Sequence, residues 1–494
     1  MKKVFIIALT IFLIGDARAN NIQISNISVV PANKTIKFDI TWENSWRSDV
    51  LNNWDAAYVF FKVFEPMNGR YLHVFCLDET NNKVPAGFTA RRHSYNNGYL
   101  LYRSAAGSGT TTMTNVELGI EPEWTTGVFD IKAFAIEMVY IPTGTFYVGD
   151  PTSTNSYSLR SIGSGTTVLN DPLGTPSSTL SFTGFPNGHA AFYCMKYELS
   201  QGGYRDFLNT LTYRQQANHM AVAPSSLLST WILNSANRNY LKIRTSGTNP
   251  TIPAVIGCDA DGDLTWDEPT DGENIACNFL SWVDMAAYLV WAGLRPLTEL
   301  EYEKASRGIQ IPVAGEYAWG NANIHTTFYT LSNTNQNTEI VSNPATSPTG
   351  NANCAPTYPT AAIGPMRNGI FATATSNRIT SGGSFYGVME MSGNLWEQVI
   401  TTANVQGRGF TDGPLSLGLN EDGYPWNGVT TWPGGSSGKV DGSTNALGLT
   451  YRGGAWGTPI TNLRISDRSG GLVNNPGLVR NGNYGIRGCV TAPL

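Results

Sequence analysis

The chain has 494 residues, too many for one ordinary hydrophobic core and suited to two or three domains. Hydrophobic residues make up 41%, which supports a folded protein. The 32 Lys and Arg against 37 Asp and Glu leave a net charge of -5, which excludes the basic surface of a nucleic-acid binder.

Residues 1–19 open with Lys2 and Lys3, run through an apolar stretch over 4–14 and close with Ala17-Arg18-Ala19. A basic start, an apolar run and a small-x-small site read as a cleaved secretory signal, and Asp16 and Arg18 end the run too early for a membrane span. Cleavage leaves 29 basic against 36 acidic residues, a net charge of -7.

Over 20–137 the signals are those of strands. Ile36, Phe38, Ile40 and Trp42 alternate with Thr35, Lys37, Asp39 and Thr41, placing one face inward. Residues 58–64 are apolar at nearly every position, as in a strand covered on both faces, while Pro31, Asn68-Gly69 and Asn96-Asn97-Gly98 supply turns. An antiparallel β-sandwich of the immunoglobulin or fibronectin kind fits this length, with Trp42, Trp46 and Trp54 as core or interface residues.

A second domain is expected over 138–494, joined without a flexible linker. Three helices stand out in it. Ser200 caps the first, with Tyr204, Phe207, Leu208 and Leu211 as its buried stripe. Ser281-x-x-Asp284 and Thr298-x-x-Glu301 read as capping boxes opening the other two.

Between the first two helices lies Asp259-Ala260-Asp261-Gly262-Asp263-Leu264-Thr265-Trp266-Asp267. Four aspartates within nine residues repel one another unless a cation or solvent screens them, so Asp259, Asp261, Asp263 and Asp267 are candidate calcium ligands, with an acidic solvated turn as the alternative. Cys258 and Cys277 bracket this insertion and are the pair expected to be joined. The six cysteines are otherwise sparse, no CxxC occurs and the five histidines are dispersed, so no zinc site is suggested.

Residues 387–397 (GVMEMSGNLWE) concentrate two carboxylates, two glycines and a tryptophan. Glu390 and Glu397, with backbone carbonyls near Gly393 and Leu395, suit calcium, which accepts a mixture of carboxylate and carbonyl oxygens. The alternative is a tight turn on which Trp396 fills the core. In the loop-rich stretch 402–450, Tyr424, Trp426 and Trp432 are candidates for stacking on a glycan or lining a protein interface. No phosphate-binding loop of the GxxxxGK[ST] kind is present.

The stretch 387–397 belongs to a series of motifs. In order, these are 138–149 (MVYIPTGTFYVG), 192–208 (FYCMKYELSQGGYRDFL), 278–308 (NFLSWVDMAAYLVWAGLRPLTELEYEKASRG), 317–321 (YAWGN), 452–456 (RGGAW) and 484–489 (YGIRGC). Together they resemble the formylglycine-generating, sulfatase-modifying-factor family. The resemblance implies an α+β, C-type-lectin-like domain rich in irregular loops and a further calcium site after Trp319-Gly320-Asn321. It also implies, for catalytic members, a pair of copper-binding cysteines that oxidise a substrate cysteine. In this chain Thr458 and Leu463 stand nearest those cysteine positions, and neither is a thiolate ligand for a soft metal. Arg487 is expected to make an internal salt bridge.

The expectation is a noncatalytic binding or assembly protein, secreted or at the surface of a bacterial cell, with the periplasm as an alternative. It would have no transmembrane span after signal cleavage. Calcium would stabilise the scaffold, and the partner would be another envelope or extracellular protein or a second copy. A calcium-dependent glycan-binding module and an oxidase with non-standard metal ligands are the competing readings.

Overall fold

A computed structural model describes residues 21–77, 79–125, 129–153, 155–171, 178–358, 363–413, 418–426, 429–434, 440–441, 445–470 and 477–493. The expected signal over 1–19 lies outside the described residues. Among the described residues, no helix is long and apolar enough to cross a membrane.

Two layers form the N-terminal part. Strands β1 (Gln23–Val30), β2 (Thr35–Ser48) and, further along the chain, Gly107–Gly119 make one layer, with β2 in the middle. The other is centred on β3 (Asn53–Glu65), flanked on one edge by β4 (Arg70–Val74) and the Tyr99–Arg103 strand and on the other by the long Ile131–Ile141 strand. The expected alternation of β2 holds: Ile36, Phe38, Ile40 and Trp42 are fully buried, facing Ala57, Val59, Phe61 and Val63 of β3. The other face of β3 presents Trp54, Ala56, Tyr58 and Phe60 to a second core shared with the helices, which is why its sequence lacks alternation.

The expected boundary between 137 and 138 falls inside the Ile131–Ile141 strand, which carries the chain from one part into the other without a flexible linker. That strand pairs with β3 along Asp55↔Val139 to Val63↔Ile131, and with the Phe192–Met195 strand through Phe192↔Ile141 and Met195↔Met138. The sheet continues through Gly488–Thr491 to Arg295–Pro296, giving eleven strands in one sheet among the described residues. A chain that must pair both edges of this strand cannot place a hinge there.

The three expected helices form. α1 (Gln201–Leu208) is capped by Ser200, whose hydroxyl accepts from the Gly203 N–H. Both capping boxes are made, at Ser281 for the Trp282–Ala292 helix and at Thr298 for the Glu299–Arg307 helix. α2 (Tyr213–His219) was not expected, although Thr212-x-x-Gln215 closes a capping box of the same kind in the sequence. The fold is thus α+β and rich in strand.

Candidate functional site

The Glu299–Arg307 helix lays a row of carboxylates beneath a small sheet made by Leu449–Arg452, Trp396–Ile400 and Tyr484–Gly485. Arg468 grips Glu299 with two nitrogens, each at 2.9 Å, and Asp171 at 2.5 Å, under the ring of Tyr157. Arg452 reaches Glu303 at 3.1 Å and Glu299 at 3.3 Å, while Arg307 joins Glu303 to Glu316. All are buried. Burial raises the Glu299 carboxyl, but Arg468 and then Arg452 overcome it and hold the group down at about 2. The neighbours Asp467 and Arg468 do not pair with each other, because Asp467 turns to Asn462 and Ser469.

In the same sheet, Glu397, paired across from Arg452, meets Arg487 at 3.1 Å, the internal salt bridge expected of that arginine. Glu390 accepts from the Gly369 N–H at 2.8 Å. A third carboxylate, Glu198, organises the turn by accepting from the Leu395 N–H at 2.8 Å and the Asn394 amide at 2.5 Å. Its role was not visible in the sequence, where it only preceded a helix cap. Gly393 enters through its N–H, bonded to the Gly453 carbonyl at 2.7 Å. Glu390 and Asn394 both take left-handed backbone, at φ 53° and 69°, held there by these bonds. Burial pushes Glu390 up to about 7 and Glu397 up to about 8, with Arg487 opposing. One oxygen of each carboxylate, Oε2, is buried without a hydrogen-bond partner. Orphaned oxygens of this kind fit a cation. Arg487 already supplies positive charge to Glu397, and among the described residues Glu390 and Glu397 are not part of a convergent group of three potential metal ligands.

The turn 452–463 is closed by packing. A Cβ on Gly453 would strike Glu397 Oε2, and one on Gly454 would strike the Leu463 side chain. The Thr458 hydroxyl accepts from the Ala455 N–H at 2.8 Å and donates to the Ala455 carbonyl at 2.9 Å. Leu463 is fully buried among Tyr317, Trp319, Ala352 and Cys354. A hydroxyl committed to its own turn and a leucine in an apolar cluster do not fit copper, which favours soft thiolate donors.

In the acidic insertion, Asp259, Asp261 and Asp263 each place an oxygen within 4.8 Å of the others, the one such group of potential metal ligands among the described residues. Asp267 departs from that set. It takes Arg205 at 2.8 Å, Arg244 at 3.1 Å and the Cys258 N–H at 2.9 Å, so it clasps the base of the loop. Asp259 is itself paired with Lys242 at 2.9 Å. A residue missed in the sequence, Asp271, lies fully buried beside them with Oδ1 unpartnered. Burial, then Asp261 and Asp259, raise its carboxyl. Its signal was available as one more aspartate four residues past Asp267. The expected Cys258–Cys277 bridge is not formed: both are buried free thiols, and the loop is pinned by the Asp267 ion pairs.

The aromatic candidates separate. Trp432 is 2% exposed, packed on Trp282 and Phe410, and is a core residue and not a binding surface. Tyr424 is half-buried against His219. Trp426 is 47% exposed.

Residues 130–492 match the sulfatase-modifying factor enzyme 1-like domain, and the chain belongs to that family. None of the curated proteins matches it. Among solved structures it is similar to PvdO from Pseudomonas aeruginosa, at 15% identity and a TM-score of 0.33 over 72% of this chain and 95% of that one. It is similar also to Treponema denticola variable protein 1, at 10% identity and a TM-score of 0.27 over 73% and 96%. A third, a Major Tropism Determinant U1 variant, has 14% identity and a TM-score of 0.23 over 76% and 69%.

Proposed function

We propose that this chain is a noncatalytic member of its family that works as a binding or assembly protein outside a bacterial cell, with a second envelope protein or another copy as partner. The observation that carries the reading is the chemistry at 458 and 463. The positions that resemble the family's copper cysteines hold a self-bonded threonine and a core leucine. With no soft ligand at either position, the scaffold is left to present loops. Secretion rests on the signal pattern of 1–19. Calcium at Asp259, Asp261 and Asp263 would tie down the insertion, because oxygen-rich loops suit a hard cation.

Metal analysis of natively purified protein tests this, with mass spectrometry of whatever co-purifies. Calcium without copper or iron, alongside a stoichiometric partner or a self-assembled species, is the expected result. Copper or iron at one equivalent, with oxygen uptake on a peptide thiol, would overturn it. Calcium should also raise the melting temperature relative to chelated protein, since a ligand held only by the folded state stabilises it. Asp261→Asn should shrink that gap.

A second reading, glycan binding, is favoured by Trp426, whose exposed ring lines a cavity beside polar side chains.

A further inference from the structure

The Gly488–Thr491 strand runs between the Phe192–Met195 and Arg295–Pro296 strands and sets Cys489 directly opposite Cys194. Two backbone bonds fix which kind of opposed pair this is. The Ala492 N–H donates to the Ala191 carbonyl at 3.1 Å, and the Lys196 N–H donates to the Glu137 carbonyl at 2.8 Å. Hydrogen-bonded and non-hydrogen-bonded pairs alternate along an antiparallel ladder. Stepping from Ala191 and Ala492, Tyr193 and Val490 form a bonded pair, and Cys194 and Cys489 a non-bonded one. Stepping from Lys196 and Glu137 agrees, since Cys194 then turns its N–H and carbonyl toward Val139, away from Cys489. Non-bonded pairs have Cα atoms about 4.5 Å apart and side chains at their closest. A disulfide spans Cα separations of roughly 4.4–6.8 Å, so the backbone already suits one.

Both cysteines are fully buried in one cluster with Val139, Leu297 and Tyr302. Arg295 and Glu301 act electrostatically on both thiols, and Cys194 acts on Cys489. As a free thiol, Cys489 leans toward its other neighbour strand, accepting from the Arg295 guanidinium at 2.9 Å and donating to the Pro296 carbonyl at 3.3 Å. Rotation about its Cα–Cβ bond swings the sulfur to the Cys194 side with the strands in place. Among the described residues no other two cysteines are opposed in a ladder: Cys76 faces Ile120, and Cys258 faces Leu241.

We propose that Cys194 and Cys489 are disulfide partners, joined while the chain folds in contact with a thiol–disulfide couple, and that the bond clasps the C-terminal strand to the middle of the large sheet. With glutathione disulfide as oxidant, one cysteine thiolate attacks it, forming a mixed disulfide and releasing one glutathione thiolate. The second cysteine thiolate attacks the protein sulfur of that mixed disulfide and releases the other glutathione. Two protein thiols are oxidised, one glutathione disulfide is reduced to two thiols, and the two protons pass to the released thiolates. A secreted chain meets such a couple as it folds. The exchange belongs to the folding chain because the thiolate is the attacking form, and burial pushes Cys194 up to about 12 and raises Cys489 as well. The strand so clasped follows Arg487, whose guanidinium holds Glu397 and the Met195 and Met389 carbonyls. The bond closes a loop of about 300 residues, and in the chain-entropy account longer loops restrict the unfolded state more.

The test is cell-free synthesis of the full chain with a glutathione redox couple and, in parallel, with dithiothreitol. Free thiols are alkylated in denaturant, and peptides are mapped by mass spectrometry without reduction. The glutathione product should yield a peptide pair linked through Cys194 and Cys489, and the dithiothreitol product should show all six cysteines alkylated. The linked protein should melt several degrees above the reduced one, and Cys489→Ala should abolish that difference. The mapping is done on the wild type, so it decides the matter even where the variant folds poorly. Six alkylated cysteines in the glutathione product would overturn the proposal, as would a Cys258–Cys277 link with Cys194 and Cys489 both free.

Discussion

Between β2 and β3 the buried contacts are Ile36, Phe38, Ile40 and Trp42 against Ala57, Val59, Phe61 and Val63, whereas under the Leu449–Arg452 strand they are Glu299, Glu303, Arg307, Arg452 and Arg468. The first core is non-directional: each side chain contributes roughly in proportion to the apolar area it removes from water, and neighbours tolerate small changes of shape. The second is a set of charges taken out of water together, stable only while every partner is present. The same chain uses the apolar mode where regular strands line up faces and the ionic mode where irregular loops must be held at points. The two regions are stitched together by Asp55, which accepts from Trp42, Ser45 and Trp46 on the sandwich side and lies 3.8 Å from Lys196.

The contrast is broken most severely at Glu299. Glu299→Ala leaves Arg452 and Arg468 buried and short of a counter-charge, and should cost about 3–5 kcal/mol. Urea unfolding followed by circular dichroism measures it. A loss under about 1 kcal/mol would mean that the ionic core is not what holds these loops.

Acid should attack the same place. Glu299 is held at about 2, below an ordinary value near 4.5, so its contribution is present above the unfolded value and lost as pH falls from about 4.5 to about 2. Thermal melts across that window should show a steep decline for the wild type and a shallower one for Glu299→Gln. Parallel curves for the two proteins would remove Glu299 from the acid response.

The two regions were also unequally legible in the sequence. The alternation in β2, the two-sided burial of β3 and the helix caps at Ser200, Ser281 and Thr298 are local patterns, set by residues within a few positions of one another. The ionic core joins Asp171, Glu299 and Arg468 across hundreds of residues, and nothing local to Arg468 marks it for that core while its neighbour Asp467 bonds only nearby in the chain. The same limit separates Trp432 from Trp426: both sit in a glycine-rich loop, and only the arrival of Trp282 and Phe410 from elsewhere buries one of them. Asp267 was grouped with Asp259, Asp261 and Asp263 by spacing alone. Arg205 and Arg244, both distant in sequence, draw it away. Arg487 was foreseen because its motif resembled the family's, not because its partner could be read from the chain.

A smaller effect tests the caps that sequence did reveal. Ser281 accepts from the Asp284 N–H, and Asp284 answers both the Ser281 N–H and hydroxyl, while Arg480 and His219 hold the same carboxylate. Ser281→Ala should therefore cost about 1 kcal/mol, near the middle of the range for a lost cap, because Asp284 keeps its other partners. Loss of the whole fold would show that the network at Asp284 depends on the hydroxyl.

The smallest expected change lies in the apolar core. Ile40 is 1% exposed and in the sandwich interior, where Ile40→Val removes one methylene and leaves a space its neighbours can partly close. The expected loss is about 0.5–1.5 kcal/mol, with an unchanged urea dependence, since the surface exposed on unfolding hardly alters. Measured beside Glu299→Ala, it asks whether the two cores fail as one unit. The Ile131–Ile141 strand is shared by both, so a single unfolding transition shifted by each substitution is expected. Two separate transitions, with Ile40→Val moving one and Glu299→Ala the other, would mean that the continuous sheet does not couple the sandwich to the rest of the molecule.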